Sequence, residues 1–144
     1  MSSETYAASG RGTFADEPRL LRRMLQLDAV VSGANGVAYL AAGGLLADAL
    51  DVSSTLLRVA GAVLVIFAAA VWAVAARPSI SDRGVRAVVV VNVLWALESI
   101  GALAFGWLSP NAVGATWVVL QAVVVAGFAG LQAYARAPRG TRSA

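Results

Sequence analysis

Four long blocks of apolar residues occupy most of this chain of 144 residues. An α-helix needs about 20 apolar residues to cross the ~30 Å hydrocarbon layer of a bilayer, whereas a helix on a soluble core keeps a polar face. The second block carries a single charge, that of Arg58. The sequence therefore predicts an all-α membrane protein, a bundle of four transmembrane helices. The blocks lie at about residues 27–46, 56–76, 85–108 and 112–134.

Composition limits the chemistry that the chain can carry. Hydrophobic residues make up 59% and charged residues 13%, against about 45–50% and 25% in soluble domains. The chain has no cysteine and no histidine, so thiol nucleophiles, disulfides and imidazole bases are excluded. No carboxylates cluster inside the apolar blocks, and no glycine-rich loop follows a strand. We therefore expect no enzymatic activity, no catalytic residue, no metal site and no cofactor.

Arginine lies beside alternate ends of the apolar blocks, and the chain has no lysine. The loop after the first block holds Asp48 and Asp51, and the loop after the third holds no charge. Because arginine collects on the cytoplasmic side of short loops, both termini and the middle loop should be cytoplasmic. This basic character orients a multi-pass protein of the bacterial cytoplasmic membrane and does not indicate nucleic acid. The flanking arginines are Arg19, Arg22, Arg23, Arg77, Arg83, Arg86, Arg136, Arg139 and Arg142.

The two ends of the chain differ from the blocks in composition. Residues 1–18 are polar, small and mixed in charge, and they lack the apolar run of a signal peptide. They predict a disordered cytoplasmic tail. Residues 137–144 form a second, basic tail, which leaves residues 19–136 as the transmembrane domain.

The two halves of the chain resemble each other faintly. "LDAVV" at 27–31 aligns with "VRAVV" at 85–89, and "FAAAVWAVAARP" at 67–78 aligns with "FAGLQAYARAP" at 128–138. Either two helical hairpins are pseudo-repeats or alanine- and valine-rich helices are simply alike. A true repeat would place Asp28 and Arg86 at equivalent depths, which predicts an ion pair between them. The alternative is that Asp28 pairs locally with Arg22 or Arg23.

Polar side chains recur at helical spacing in the first, third and fourth blocks, and we call this set the polar seam. Such groups need partners within hydrocarbon, so the three faces should meet. These side chains either hold the helices together by hydrogen bonds or line a path for a solute. The polar seam comprises Asp28, Ser32, Asn35, Tyr39, Asn92, Trp95, Glu98, Ser99, Gln121 and Gln132. Small residues four apart permit close helix approach at Ser32 and Gly36, Ala102 and Gly106, and Ala122 and Ala126.

Glu98 is the most unusual residue of the polar seam, because it lies near the middle of the third block. A charged carboxylate at the bilayer centre costs roughly 2.5–3.5 kcal/mol on insertion scales. We therefore expect a neutral Glu98 that is hydrogen-bonded to a seam residue or to a partner subunit. Two alternatives are a proton- or cation-coupling site and a lipid-facing acid.

Two segments resemble a known group of proteins. At "LQLDAVVSGANGVAYLAAGG" and "VNVLWALESIGALAFGWLSPNAVGATWVVLQ" the chain is similar to a group of small, uncharacterised four-helix integral membrane proteins of bacteria. The resemblance covers about residues 19–136 and implies a four-span membrane protein, with no activity or site. Small multidrug-resistance transporters are similar in size, but they carry their essential glutamate in the first helix, where this chain has none.

The sequence leaves two function classes open. The first is a non-catalytic accessory or scaffold component that self-associates or packs on another membrane protein within the lipid bilayer. The alternative is a small oligomeric transporter or channel that uses Glu98 and the polar seam between the first, third and fourth helices. No nucleic-acid partner is expected in either case.

Overall fold

A computed structural model of the chain describes the backbone of residues 2–136 and the side chains of residues 18–136. Within this range every regular element is an α-helix. Three helices are long and apolar enough to cross a membrane, and a bent helix pair makes a fourth span if it is counted as one. This agrees with an all-α membrane protein of three to four spans. The helices are α1 Ser2–Ala41, α2 Gly43–Leu50, α3 Ser54–Ala76, α4 Asp82–Ala104 and α5 Ala112–Arg136.

The predicted tails are not tested. The backbone of residues 2–17 belongs to α1, where the sequence predicts a disordered tail, but no side chain of this stretch is described. The disordered cytoplasmic tail over residues 1–18 therefore stays a prediction. The predicted basic tail at residues 137–144 lies outside the described residues.

The first apolar block does not form one straight helix. α1 ends at Ala41 and α2 begins at Gly43, and their axes meet at 94°. The prediction of a continuous helix over residues 27–46 is therefore wrong at its end. Two adjacent glycines, Gly43 and Gly44, weaken the helix at this point. A Cβ on Gly43 would lie 3.3 Å from Cγ of Arg58, so the bent backbone approaches α3 closely.

The third predicted helix also ends earlier than expected. α4 stops at Ala104 rather than at residue 108, and Gly106 has a positive φ of 73°. This left-handed conformation is one that glycine adopts without strain. No atom lies within 4 Å of the position that a Cβ on Gly106 would take. The predicted small-residue contact of Ala102 and Gly106 is therefore wrong for Gly106, which ends the helix instead of packing on another.

The other helix starts are capped by side chains. Ser53 Oγ accepts a hydrogen bond from the Leu56 backbone N–H at 3.3 Å, and Ser81 Oγ accepts from Gly84 N–H at 3.2 Å. Asn111 Oδ1 accepts from a backbone N–H in the first turn of α5. Each bond satisfies an N–H group that has no partner within its own helix. The short loops can therefore end and restart helices sharply.

α1 and α3 approach each other closely at a pair of glycines. A Cβ on Gly36 would lie 2.8 Å from the carbonyl oxygen of Gly61, and a Cβ on Gly61 would lie 2.8 Å from that of Gly36. The two backbones therefore touch, as small residues allow in membrane helices. The sequence pointed to Gly36 as a small residue, but not to Gly61 as its partner.

The helices form two hairpins. α1 packs most extensively on α3, α4 packs on α5, and α1 joins the hairpins through α5. α3 and α4 touch at few points. At the end of the molecule that holds the α3–α4 loop, a core cluster contains Leu25, Ala29, Val71, Ala75, Val85 and Val88; at the other end a cluster contains Tyr39, Ala47, Leu57 and Leu64. Large apolar side chains also cover much of the outer surface, as a lipid solvent requires.

The orientation predicted from the arginines can be tested with single cysteines, because the chain has none of its own. Ser109 and Ser79 are both exposed and lie at opposite ends of the helices. We expect cysteine at Ser109 to react with a membrane-impermeant maleimide added to intact spheroplasts. Cysteine at Ser79 should react only after lysis. The reverse pattern would contradict the orientation.

Candidate functional site

A buried carboxylate lies where α1, α4 and α5 meet. The Asp28 side chain is 0% exposed. Its Oδ1 accepts a hydrogen bond from Ser32 Oγ at 3.1 Å, one turn along α1. Its Oδ2 accepts from Asn92 Nδ2 of α4 at 2.6 Å and from Gln132 Nε2 of α5 at 2.7 Å. We call these four residues the Asp28 cluster.

The residues of the Asp28 cluster also bond to one another and are buried. Asn92 Nδ2 also donates to Gln132 Oε1 at 3.3 Å, and the exposed fractions of Asn92 and Gln132 are 2% and 0%. Within the described residues no buried side-chain nitrogen or oxygen atom lacks a partner. An ionised carboxylate can only accept hydrogen bonds, and all three partners of Asp28 donate. Both oxygens of Asp28 thus act as acceptors of hydrogen bonds from within the cluster.

Arginine takes no part in the cluster, so the predicted Asp28–Arg86 ion pair is wrong. Arg86 instead pairs with Asp82 of its own helix, with 3.3 Å between Nε and Oδ2. Arg86 lies six residues before Asn92, so the two side chains point about 120° apart around α4. Asn92 faces the cluster, and Arg86 therefore faces away from it.

The alternative pairing of Asp28 with Arg22 or Arg23 is not formed either, since the partners of Asp28 are Ser32, Asn92 and Gln132. Arg22 donates to the carbonyl oxygens of Ala75, of Arg77 at 2.7 Å and of Pro78 at 3.2 Å. These carbonyls lie at the end of α3, where the helix dipole favours a positive charge. Arg22 also lies six residues from Asp28, and so on another face of α1. The arginine thus holds the hairpin of α1 and α3 closed.

A second ion pair closes the other hairpin at the same end of the molecule. Arg136, the last residue of α5, donates to both carboxylate oxygens of Asp82 at 2.6 and 3.2 Å. Asp82 begins α4 and is largely exposed. Pairs in such positions contribute little stability because solvent screens them. Their effect here is to set the register of α4 against α5.

A second polar group lies about 16 Å along α1 from Asp28, by helix rise. The Tyr39 side chain is 4% exposed. Its hydroxyl oxygen accepts hydrogen bonds from Trp117 Nε1 at 2.7 Å and from Gln121 Nε2. We call these three residues the Tyr39 cluster. It joins α1 to α5 near the end of the molecule that holds α2.

The remaining residues of the polar seam belong to neither the Asp28 cluster nor the Tyr39 cluster. Ser99 Oγ donates to the Trp95 carbonyl oxygen at 2.7 Å within α4, so it does not join two helices. Asn35 and Trp95 line a cavity. Glu98 is exposed and forms no hydrogen bond or ion pair within the described residues. The expected bond from Glu98 to a seam residue is therefore not formed, because Glu98 lies six residues beyond Asn92 and points about 120° away from it around α4.

Two cavities between the helices border the polar clusters. The inner cavity, next to the Asp28 cluster, has a volume of about 180 Å³ and is bordered by Ser32, Asn35 and Asn92. The outer cavity has a volume of about 340 Å³ and extends past Tyr39 and Glu98 to the loop before α5. Three residues line both cavities, namely Trp95, Trp117 and Gln121. The cavities therefore adjoin, with the Tyr39 cluster between them.

Some cavity residues carry no signal in the sequence. Leu64 and Phe67 of α3 line the inner cavity, yet nothing distinguishes them from other apolar residues of that helix. These two residues line the inner cavity because α3 packs on α1, and only the structure shows this contact. The sequence does mark Trp117 and Gln132, which share one face of the fourth predicted helix with Gln121.

No protein-family model, curated protein or solved structure matches this chain.

Proposed function

We propose that the protein is a small membrane transporter in which Asp28 takes up and releases a proton. The proposal is supported chiefly by one observation, a fully buried carboxylate that is held by neutral donors from three helices. An ionisable residue inside a membrane protein is costly, and it commonly marks a path for ions or protons. If Asp28 served only to hold the helices together, an amide side chain could do so at a lower free-energy cost.

Protonation of Asp28 would rearrange the contacts of α1 with α4 and α5. A neutral carboxyl group carries its own O–H donor, whereas the cluster presents donors to both of its oxygens. A proton on Oδ1 could donate to the Ser32 hydroxyl, which also accepts hydrogen bonds. A proton on Oδ2 would instead force at least one of the amide groups of Asn92 and Gln132 to turn or withdraw. Protonation at Oδ2 would thereby be coupled to the position of two other helices.

The two cavities supply the space that a transported solute needs. The inner cavity borders Ser32 and Asn92, two donors of the Asp28 cluster. A solute in this cavity would compete for the same hydrogen bonds that protonation of Asp28 disturbs. The Tyr39 cluster separates this cavity from the outer one, so its bonds would have to open for passage. Proton binding and solute binding would then act on the same set of bonds.

We expect Asp28→Asn to abolish proton flux. The variant keeps the size of the side chain but cannot take up a proton. Purified protein is reconstituted in liposomes that contain a pH-sensitive dye, and an external acid step is applied. The initial rate of acidification should fall from the wild-type value to that of empty liposomes. In parallel, the carboxyl C=O infrared band that appears in wild-type protein at low pH should be reduced in the variant.

Asp51→Asn is the matched control for this experiment. Asp51 is exposed and lies at the end of α2, with a φ of 54° that asparagine also adopts readily. The control should retain the wild-type flux. If wild-type protein conducts no faster than empty liposomes, or if Asp28→Asn conducts as wild type, the transport proposal is wrong.

A second candidate function is an accessory or scaffold component that self-associates, as the sequence also indicates. The observation that favours it is the exposed Glu98, with exposed Leu94 and Leu97 beside it on α4. A carboxylate facing lipid is costly, and a second copy or another membrane protein could cover it. The oligomeric state of wild-type protein and Glu98→Gln, measured by light scattering in detergent, would test this function. Monomers in both cases would contradict self-association.

A further inference from the structure

Aromatic side chains are concentrated in the wall of the outer cavity. Tyr39, Trp95, Trp107 and Trp117 all line it, and these include three of the four tryptophans of the chain. Trp107 is 80% exposed and lies toward the cavity mouth, where its ring is 5.5 Å from that of Phe105. The fourth tryptophan, Trp72, is on α3 and does not border this cavity.

Several hydrogen-bonding groups of this wall are already occupied. The Tyr39 hydroxyl accepts from Trp117 and Gln121, and Ser99 Oγ donates to a carbonyl of its own helix. Among the described residues, the indole N–H groups of Trp95 and Trp107 remain as free donors, so the cavity offers mainly ring and aliphatic surface. A polyhydroxylated solute or an anion would find few partners here.

Glu98 is the one charged residue among the described residues that line the outer cavity. Arg58 is the cation of the adjoining helix, but its side chain lies against Gly43 of α2 and does not border the cavity. The carboxylate is thus not neutralised by a residue of the cavity wall. An occupant with a positive charge would be attracted to it, and an anion would be repelled.

We propose that the outer cavity binds a small organic cation with an aromatic or alkyl body. A cation near the face of a tryptophan or tyrosine ring gains electrostatic energy, and the gain grows where water is excluded. Glu98 adds a formal charge to the same attraction. The proposal extends the transport function by naming the class of solute, and it also accounts for a glutamate within an apolar helix.

Binding can be tested with a pair of probes that differ in the sign of charge. Benzyltrimethylammonium and phenylmethanesulfonate both carry a benzyl group on a tetrahedral head, and both dissolve in water. Purified Trp72→Phe protein in detergent serves as the background, so that fluorescence reports only the three tryptophans of the cavity. We expect a saturable fluorescence change with benzyltrimethylammonium and none with the sulfonate.

Glu98→Gln should weaken binding of the cation by about tenfold or more, since it removes one charge at close range. Glu98→Asp, which keeps the charge, should bind more tightly than Glu98→Gln. Asp48→Asn removes a negative charge from an exposed position on α2 outside the cavity, and it should bind as the background protein does. Gel filtration tests whether each variant is folded and whether its oligomeric state is that of the wild-type protein.

Three outcomes would overturn the assignment. They are equal binding of the two probes, unchanged cation affinity in Glu98→Gln, and dissociation of a wild-type oligomer by Glu98→Gln, which would make Glu98 an interface residue. The measurement is independent of proton flux. Cation binding without any flux would therefore contradict the transport function and leave the binding site standing, whereas flux without cation binding would contradict only the solute class.

Discussion

Replacing Gly36 by leucine is expected to separate α1 from α3 and to remove most of the folded protein. The new Cβ would lie 2.8 Å from the Gly61 carbonyl oxygen and 2.8 Å from Cγ2 of Val65. The first of these atoms belongs to the backbone, which cannot turn aside as a flexible side chain can. Overpacking costs about 1–3 kcal/mol or more even in cores that relax, and leucine adds three further carbon atoms at this contact.

The measurement is the yield of monodisperse protein after extraction in mild detergent, together with its thermal unfolding temperature. Gly127→Leu is the matched control, because no atom lies within 4 Å of the Cβ position at Gly127 on α5. The control should be recovered like wild-type protein. If Gly36→Leu and Gly127→Leu have equal yields and unfolding temperatures, the close contact of α1 and α3 does not exist.

Replacing Asp28 by leucine should destabilise the protein more than replacing it by asparagine. Leucine accepts no hydrogen bond, so the amide groups of Asn92 and Gln132 lose their acceptor within a buried site. Each buried donor without a partner costs about 1–3 kcal/mol. Asparagine retains an acceptor oxygen and should cost less. Unfolding by a denaturing detergent, followed by circular dichroism, gives the two free energies.

A double replacement provides the control for this second prediction. If the cost of Asp28→Leu comes from the unpaired amides, then adding Gln132→Leu should recover part of the lost stability. The two sites are in direct contact, so their effects should not add. A double variant whose loss equals the sum of the two single losses would contradict the hydrogen bond between Asp28 and Gln132.

The sequence predicted which residues share a face of one helix better than it predicted which residues of other helices they contact. Steps of three and four residues placed Asp28 and Ser32 on one face of the first helix, and the structure joins them by a hydrogen bond. Helical spacing also gave Gln121 and Gln132 a common face. Periodicity does not say which face of another helix lies opposite. The pairing of Asp28 with Asn92 and Gln132, instead of with Arg86, depends on rotations about helix axes that spacing does not specify.

The helix ends were harder to predict for a different reason. The apolar block at residues 27–46 continues past the break at Ala42, because hydropathy measures composition and not direction. The glycine pair at Gly43 and Gly44 was the available signal. Glu98 was expected at the edge of the polar seam, from its depth and from its position at the flank of the stripe formed by Asn92 and Ser99. Its angular position on α4 instead places it outside the Asp28 cluster and at the outer cavity.

The attachment of α2 to α5 has a mechanical consequence. Asn111 binds the carbonyl oxygens of Leu50 and Ala49, at 3.2 Å through its backbone N–H and at 2.8 Å through Nδ2. α1 and α5 are thereby tied at the α2 end, whereas α3 and α4 scarcely touch. Relative motion of the two hairpins would be a rotation about a hinge axis along α1 and α5. Asp28 bonds α1 to both helices of the other hairpin, so we expect a change in these bonds to alter how freely the hairpins rotate.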